Sequence, residues 1–497
     1  MLSTVGMVER RSESSAERNA VFPSGNYLIA TSRLHPALDG GQTIALLRRA
    51  KHFREVGCAS VQLLSFDFAP ERPDDLAEFQ RMGLADERTV LRNLYQDARR
   101  DPSWLYDAAR PLQQPAPEAI AVTADTTLDS DGVPWRTVWR VATAATGAAV
   151  YTDYLDRQGR PILRTPYLNR EDWHHSTEAI TVFRDGIPAG QFAGFGELYR
   201  AWLSAVIVSG DPTLPTFIIS ESRQIGELIT QLRSATVKVI HTVHNAHTRP
   251  PYRWDSDMEP QWQSWFAKLA DFNAVVWLTA RQKADVVRRF GEPTRFVVIP
   301  HPVDAAQSTP HPGVRNLNRA VMIARLVPQK QIDHAIRAFA ILRTSNPQAR
   351  LDIFGDGPSE QSLADLIADL GVGDAVRLLG YQSDAATELE NAALLVVSSG
   401  YEGQSLAITE AFARGCAVVA YDANYGPGEM VVSGRNGVLV PAGDIPALAE
   451  AMAQLLGNRA LIQTMSTGAL STAAQMSVER AMSSWSELFD QVLQRAP

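Results

Sequence analysis

The chain has 497 residues, room for about three domains. Hydrophobic residues make up 45% of it and charged residues 21%, which excludes a disordered, collagen-like or long coiled-coil chain. Two cysteines, Cys58 and Cys416, are too few for a disulfide framework or a thiolate zinc site, and a formal net charge of −8 gives no global field toward nucleic acid or anionic lipid.

Residues 1–24 are polar and charged and read as a mobile tail, without the apolar run of a secretory leader. No stretch reaches the roughly 18 apolar residues of a membrane span, so a soluble cytoplasmic protein is expected. A strand at 27–30, a Gly-Gly turn at Asp39-Gly40-Gly41, a helix at 43–56 and a strand at 61–65 make a β-loop-α-β opening, the start of a parallel sheet. Residues 75–100 then read as helical, and 110–118 are rich in Pro and Ala. Short alternating runs at 137–142, 149–155, 161–165 and 180–184 follow, separated by turn signals at 156–160 and 185–186, as in antiparallel hairpins. This block, 76–195, holds 13 arginines, no lysine and 16 Asp/Glu, so on average it is not a polyanion-binding surface. Strands at 216–220, 237–242, 274–278 and 295–299 alternate with helices at 224–232, 261–269 and 280–290, and 300–313 reads as a Pro-stiffened linker. Beyond it come strands at 320–323, 350–354, 376–379, 393–397, 417–421 and 437–440. Helices at 332–342, 359–370, 385–391 and 405–414 separate them, a doubly wound pattern. An amphipathic helix at 478–493 ends the chain.

The densest chemical signal is SGYEGQSLAITE at 399–410. A strand ends before it, Gly400 and Gly403 let the backbone approach a ligand, and a helix starts near Ser405, where amides can hold phosphate oxygens. Glu402 on the loop and Glu410 in the helix can address two ends of one elongated ligand. Alone, the segment reads equally as a solvated glutamate and an ordinary crossover. In ARLVPQK, 324–330, Arg325 and Lys330 flank a loop at a strand's carboxyl end, where two cations can neutralise a diphosphate. Taken alone they are as readily two surface cations. His241, His244 and His247 recur every three residues, but they straddle a strand end without a nearby carboxylate, so no metal is expected. His244, at the strand tip, is the better candidate for a ligand. Gly355-Asp356-Gly357 and Gly380-Tyr381 end two further strands, either as nucleobase-facing loops or as simple turns.

In order, the strings ARLVPQK, LDIFGDGP, LLGY and YEGQSLAITEAFARGCAVVAYD, then GRNGVL at 434–439, resemble the retaining GT-B glycosyltransferases of family 4. Tyr425-Gly426-Pro427 and the YTDYLDRQGRPI string at 151–162 further resemble the bacterial enzymes that glycosylate poly(polyol phosphate) teichoic acids, and their relatives that add GlcNAc to serine-rich adhesins. The resemblance implies an α/β fold of two Rossmann-like doubly wound domains facing a cleft. Residues 25–75 and 195–302 would form the acceptor-side domain, 76–194 an antiparallel β-rich insertion for oligomerisation or acceptor binding, 314–475 the nucleotide-sugar-binding domain, and 476–497 a terminal helix.

It also implies that Arg325 and Lys330 grip the donor diphosphate, helped by the amides of Ser405 and Leu406. Glu410 would bind the ribose hydroxyls of a UDP-sugar, Glu402 and His244 would meet the sugar, Gly40 and Gly41 would shape the loop near the β-phosphate, and Tyr381 would complete the donor site. No metal or other cofactor is implied, and UDP leaves as an acceptor hydroxyl attacks the same face. Gln404 stands where relatives often carry Phe, which leaves the sugar preference open. The expected acceptor is a cell-wall polyol-phosphate polymer. The alternatives are a Ser/Thr-rich protein acceptor, or a non-catalytic GT-B partner subunit, against which Arg325, Lys330, Glu402 and Glu410 together speak.

Overall fold

A computed structural model of the chain describes residues 21–35, 40–58, 60–68, 73–112, 123–141, 148–166, 173–304 and 315–494. The strands fall into three sheets. In the N-terminal lobe, Asn26–Thr31 (β1), Ser60–Ser65 (β2) and Val90–Asn93 (β3) lie on one side. The insertion then supplies Thr123–Leu128 (β4), Pro134–Val141 (β5), Ala148–Leu155 (β6), Pro161–Pro166 (β7), Ala179–Arg184 (β8) and Ile187–Ala193 (β9). The N-terminal lobe resumes with Thr216–Ser220 (β10), Val237–Val243 (β11), Ala274–Trp277 (β12) and Arg295–Val298 (β13). Its all-parallel order is β13-β12-β11-β10-β1-β2-β3. The C-terminal lobe carries Asn316–Ile323 (β14), Arg350–Phe354 (β15), Val376–Leu378 (β16), Ala392–Val397 (β17), Ala417–Tyr421 (β18) and Gly437–Val440 (β19), ordered β16-β15-β14-β17-β18-β19.

Every residue of β10, TFIIS, and of β17, AALLVV, is buried. Continuous apolar, β-branched strands of this kind belong in parallel sheets covered on both faces. Strand tips therefore collect at the carboxyl edge of each sheet, and the site is built there.

The insertion is a meander, β4 to β9, with neighbouring strands antiparallel. The turn between β8 and β9 places Asp185 at φ 54° and Gly186 at φ 75°, the paired positive φ that a two-residue hairpin requires. One face of the sheet shares a core with the N-terminal lobe: Trp135, Tyr154, Leu163 and Val182 pack in one cluster with Phe66, Tyr95, Tyr199 and Trp202. At the far edge, every residue of β4 is exposed.

Three expectations need correction. The stretch 75–100 is not one helix: helices Pro73–Arg81 and Leu94–Arg100 flank β3. That strand pairs with β2, so part of 76–194 belongs to the N-terminal sheet. VLRN is a short edge strand without a full alternating pattern, which is why it reads as helix continuation. The supposed tail is also anchored before residue 24, because Phe22 packs against Tyr27, Phe53 and Phe489. Residues 1–20 and the linker segment 308–313 lie outside the described residues.

The chain crosses between lobes twice, side by side: the Val303 N–H donates to the Met476 carbonyl at 2.7 Å. After the second crossing, helix Val478–Gln494 returns to the N-terminal lobe. There Trp485, Leu488 and Phe489 join Phe53, Tyr27 and Phe217 in one buried cluster.

Candidate active site

The two lobes meet through a set of close backbone approaches. Gly40 has φ +52°, and a Cβ there would lie 3.3 Å from Arg325 Cδ. A Cβ on Gly41 would lie 3.3 Å from Leu406 Cδ1. The Gly-Gly turn of the N-terminal lobe thus sits directly against Arg325 and the first turn of helix Leu406–Ala413. A Cβ on Gly403 would fall 1.9 Å from the His244 carbonyl oxygen, so the 399–410 loop touches the tip of β11 only because this residue has no side chain.

Within the C-terminal lobe, the ARLVPQK loop is stitched to the same loop. Lys330 Nζ lies 2.6 Å from Glu402 Oε1, and Ser399 Oγ donates to that oxygen at 2.7 Å. Gln329 Nε2 donates to the Tyr401 carbonyl at 2.9 Å. Arg325 is exposed and, among the described residues, takes part in no salt bridge. Ser405 is the N-cap of helix Leu406–Ala413; its side chain makes no cap bond and its carbonyl accepts from the Ile408 N–H at 3.2 Å, which leaves the Leu406 and Ala407 amides for another acceptor. Gly40 and Gly41 thus meet Arg325 and Leu406 across the lobes, and Lys330, Glu402 and Ser399 form one polar cluster on the neighbouring loop.

Glu410 reaches the cleft by a different contact. Its Oε1 accepts from Arg48 Nη2 at 3.1 Å, and Arg48 Nε also meets Asp304 Oδ2 at 3.0 Å. Asp304, on the crossing between lobes, accepts from His52 Nε2 at 2.8 Å. Burial works against a charge on His52, but the carboxylates of Asp304 and Glu55 outweigh it and raise its pKa. Arg48 was missed in the sequence. Its signal is the Arg48-Arg49 pair in the helix after the Gly-Gly turn, where Arg49, His52 and Arg54 are buried among apolar residues.

The three histidines of HTVHNAH go to three different surroundings. His241 packs on Trp265 and Phe272, and His247 on Phe266 and Tyr425. His244 points instead to Glu221, with Nε2 2.6 Å from Oε2, and its ring stacks on His301 at 5.5 Å. Among the described residues no group of three or more His, Cys, Asp or Glu is placed to hold a metal ion. His244 and Glu221 line a polar cavity of ≈ 360 Å³ at the carboxyl edge of the N-terminal sheet, with Arg33, Gln42, Trp262 and, from the other lobe, Tyr401.

Two motifs take other roles. Gly355 and Gly357 lack room for a Cβ because Ala324 and Leu326 carbonyls press on them, and Leu326 N–H donates to the Asp356 carbonyl at 2.6 Å. The GDG turn thus props up the Arg325 loop. Tyr381 is 49% exposed, with the carboxylates of Glu78 and Asp356 as neighbouring charges that add to burial in raising its pKa. Gln404 does not face the cleft freely either. Its Oε1 accepts from the His301 N–H at 2.7 Å and its Nε2 donates to the His301 carbonyl at 3.1 Å. It clips the loop to the interlobe crossing.

The family model for "Glycosyl transferases group 1" matches residues 308–471. Among curated relatives, the chain is 37% identical over 225 residues to an exopolysaccharide phosphotransferase of Streptomyces coelicolor, 45% of this chain and 24% of that protein. It is 26% identical over 306 residues to the poly(glycerol-phosphate) alpha-glucosyltransferase of Bacillus subtilis, 60% of this chain and 44% of the other. The matches thus span less than half the length of either relative. A mutant of S. aureus TarM, solved with Fondaparinux, alpha-GlcNAc-glycerol and UDP, superposes with a TM-score of 0.75 at 18% identity, over 94% of this chain and 100% of that one. The fold around the group 1 domain is GT-B, with the antiparallel insertion in the first lobe. Among the described residues, no helix is long and apolar enough to cross a membrane.

Proposed function

We propose that this chain is a cytoplasmic retaining glycosyltransferase that moves a hexose or N-acetylhexosamine from a UDP-sugar to a hydroxyl of a cell-wall polyol-phosphate polymer. The observation that carries the reading is the packing of the Gly40-Gly41 turn against Arg325 and Leu406, beside the Lys330–Glu402 pair. In this reading a guanidinium, an ammonium and the first turn of a helix face one crevice, the charge pattern a leaving diphosphate needs.

In this reading Arg325, Lys330 and the amides of Ser405 and Leu406 hold the diphosphate. Glu410 accepts from the ribose hydroxyls, exchanging Arg48 for them. Glu402 and His244 contact the sugar, and Tyr381 closes the rim at the nucleotide end. The anomeric carbon–phosphate oxygen bond breaks, the acceptor oxygen bonds to the same face, and its proton goes to the departing phosphate. No cofactor beyond the donor takes part. The polymer acceptor is supported by the likeness to a poly(glycerol-phosphate) alpha-glucosyltransferase. The exposed edge strand β4 supports assembly of copies through the insertion; light scattering that reports a monomer counts against that part.

UDP release from UDP-glucose, UDP-GlcNAc and UDP-galactose, with polyol-phosphate polymer or a Ser/Thr-rich peptide as acceptor, tests the whole reading. Glu410→Ala and Lys330→Ala should each lower turnover by about 10²–10³-fold. Near-normal turnover in both refutes the site, transfer to peptide alone refutes the polymer, and no thermal shift with UDP points to a silent partner subunit.

A further inference from the structure

The cavity beside the donor cleft contains a buried ion pair that the proposed chemistry does not use. Glu221 stands just past the end of β10, with its side chain fully buried. Both of its oxygens are occupied. Oε1 accepts from Arg49, and Oε2 accepts from His244 Nε2 at 2.6 Å. Its backbone is held as well: the Glu221 N–H donates to the Ala30 carbonyl at 2.8 Å, and Gln42, next to the Gly-Gly turn, donates to the Glu221 carbonyl at 2.7 Å.

Arg49 is equally constrained. It is buried, donates to Thr242 Oγ1 at 3.3 Å, and lies with its guanidinium 4.9 Å from the ring centre of Trp485 on the C-terminal helix. A buried carboxylate is costly unless it is paired and fully hydrogen-bonded. Here burial pushes the Glu221 pKa up, while Arg49, His244 and Thr242 together bring it below its ordinary value. Glu221 takes its counter-charge from Arg49, so what His244 supplies to it is a hydrogen bond.

We infer that Glu221 is a positioning residue: backed by Arg49, it fixes His244 as the neutral Nε2–H tautomer, so that Nδ1 offers a lone pair to a sugar hydroxyl in the cavity. An ionised carboxylate can only accept, so the proton between them sits on Nε2. The other ring nitrogen is then an acceptor by elimination. Glu221 is held from several parts of the fold: Ala30 of β1 and Gln42 of the first helix bond its backbone, Arg49 of that helix and His244 at the tip of β11 bond its carboxylate, and Trp485 of the C-terminal helix stands behind Arg49. The ring is therefore oriented before any ligand arrives, the arrangement that makes a contact useful in a transition state. The sugar hydroxyl rests on the glycosyl-transfer reading above, but the tautomer does not.

The test separates the two. Protein labelled with ¹⁵N in its histidine rings gives a two-bond ¹H–¹⁵N correlation spectrum that reports which nitrogen carries the proton; the His244 pattern is assigned by its loss in His244→Gln. The inference expects the Nε2–H pattern in the wild-type chain at neutral pH. In Glu221→Gln the carboxamide oxygen satisfies Arg49 and the NH₂ group faces the imidazole, so the pattern should invert to Nδ1–H. In the same variant kcat for UDP release should fall about 10–100-fold, as when the carboxylate that orients a metal-ligating histidine is removed, while the donor KM stays near the wild-type value. A role confined to folding would lower the amount of active protein and leave the tautomer alone. Should Glu221→Gln fold poorly, Arg49→Met/Glu221→Met removes both buried charges and the acceptor for Nε2 together, and must give the same loss of kcat with the donor KM kept. A wild-type Nδ1–H pattern, or unchanged kcat with the tautomer inverted, overturns the inference. A wild-type chain that shows the expected tautomer but neither binds nor releases UDP overturns the glycosyl-transfer reading instead.

Discussion

Lys330 and Glu402 are a unit, 2.6 Å apart and little exposed, with Ser399 on the same carboxylate oxygen. Removing either partner leaves the other charge partly desolvated, so effects on turnover should not add. In a cycle of Lys330→Ala, Glu402→Gln and the double variant, the coupling read from UDP release should be about 0.5–3 kcal/mol; strict additivity would mean that the two charges act separately. Gly403 tests the close approach between lobes. Gly403→Ala puts a methyl group onto the His244 carbonyl and should destabilise the fold by about 1–3 kcal/mol. Gly373→Ala, which meets only Ile367 at 3.8 Å, is the control and should be near neutral in the same urea titration.

Gln404 stands where relatives often carry Phe, and the string alone does not say what it does. Its carboxamide is saturated by the backbone of His301, on the crossing between lobes. It ties the 399–410 loop to the crossing between lobes.

At the scale of elements, the C-terminal helix is the least expected participant. Its amphipathic pattern is plain in the sequence, but the pattern does not say which lobe it covers. It covers the first lobe, where Trp485 is buried against Phe53 and supports Arg49. Trp485→Ala should lower stability by about 3–5 kcal/mol, measured by denaturant unfolding. Because Arg49 holds Glu221, the residual folded protein should also lose turnover. Full turnover per folded molecule would separate the helix from the site.

For the whole molecule, the buried histidines set the response to acid. His174 is pushed down to about 3 and His247 to about 4 by burial, and His241 and His301 lie well below the ordinary imidazole value for the same reason. For these groups the unfolded chain binds more protons below its own pKa of about 6.5, so their stability is present above that pH and lost as pH falls. His52 has the opposite sign: its pKa is raised, so its contribution is present below about 6.5 and lost as pH rises through the folded value. The depressed group outnumbers it. Each such histidine should withdraw about 2 kcal/mol by pH 5, and the melting temperature should drop between pH 7 and pH 5. A flat profile over that range would mean that these rings are reached by solvent.

The strand–loop–helix units of the second lobe, and the loop carrying Glu402 and Glu410, were readable from the sequence. Apolar strands, glycines and helix starts are local signals, written within a dozen residues of chain. The sequence by itself therefore determined two Rossmann-like lobes, an antiparallel insertion and the loops that carry Arg325, Lys330, Glu402 and Glu410. Only the tertiary structure decided that Arg48 meets Glu410, that Glu221 and Arg49 lie behind His244, and that the last helix folds back onto the first lobe. Those pairs are separated by 362, 23 and 172 residues in the contacts Arg48–Glu410, His244–Glu221 and Arg49–Glu221. No local pattern encodes a partner that the chain reaches only after both sheets are wound and the crossings between them are closed.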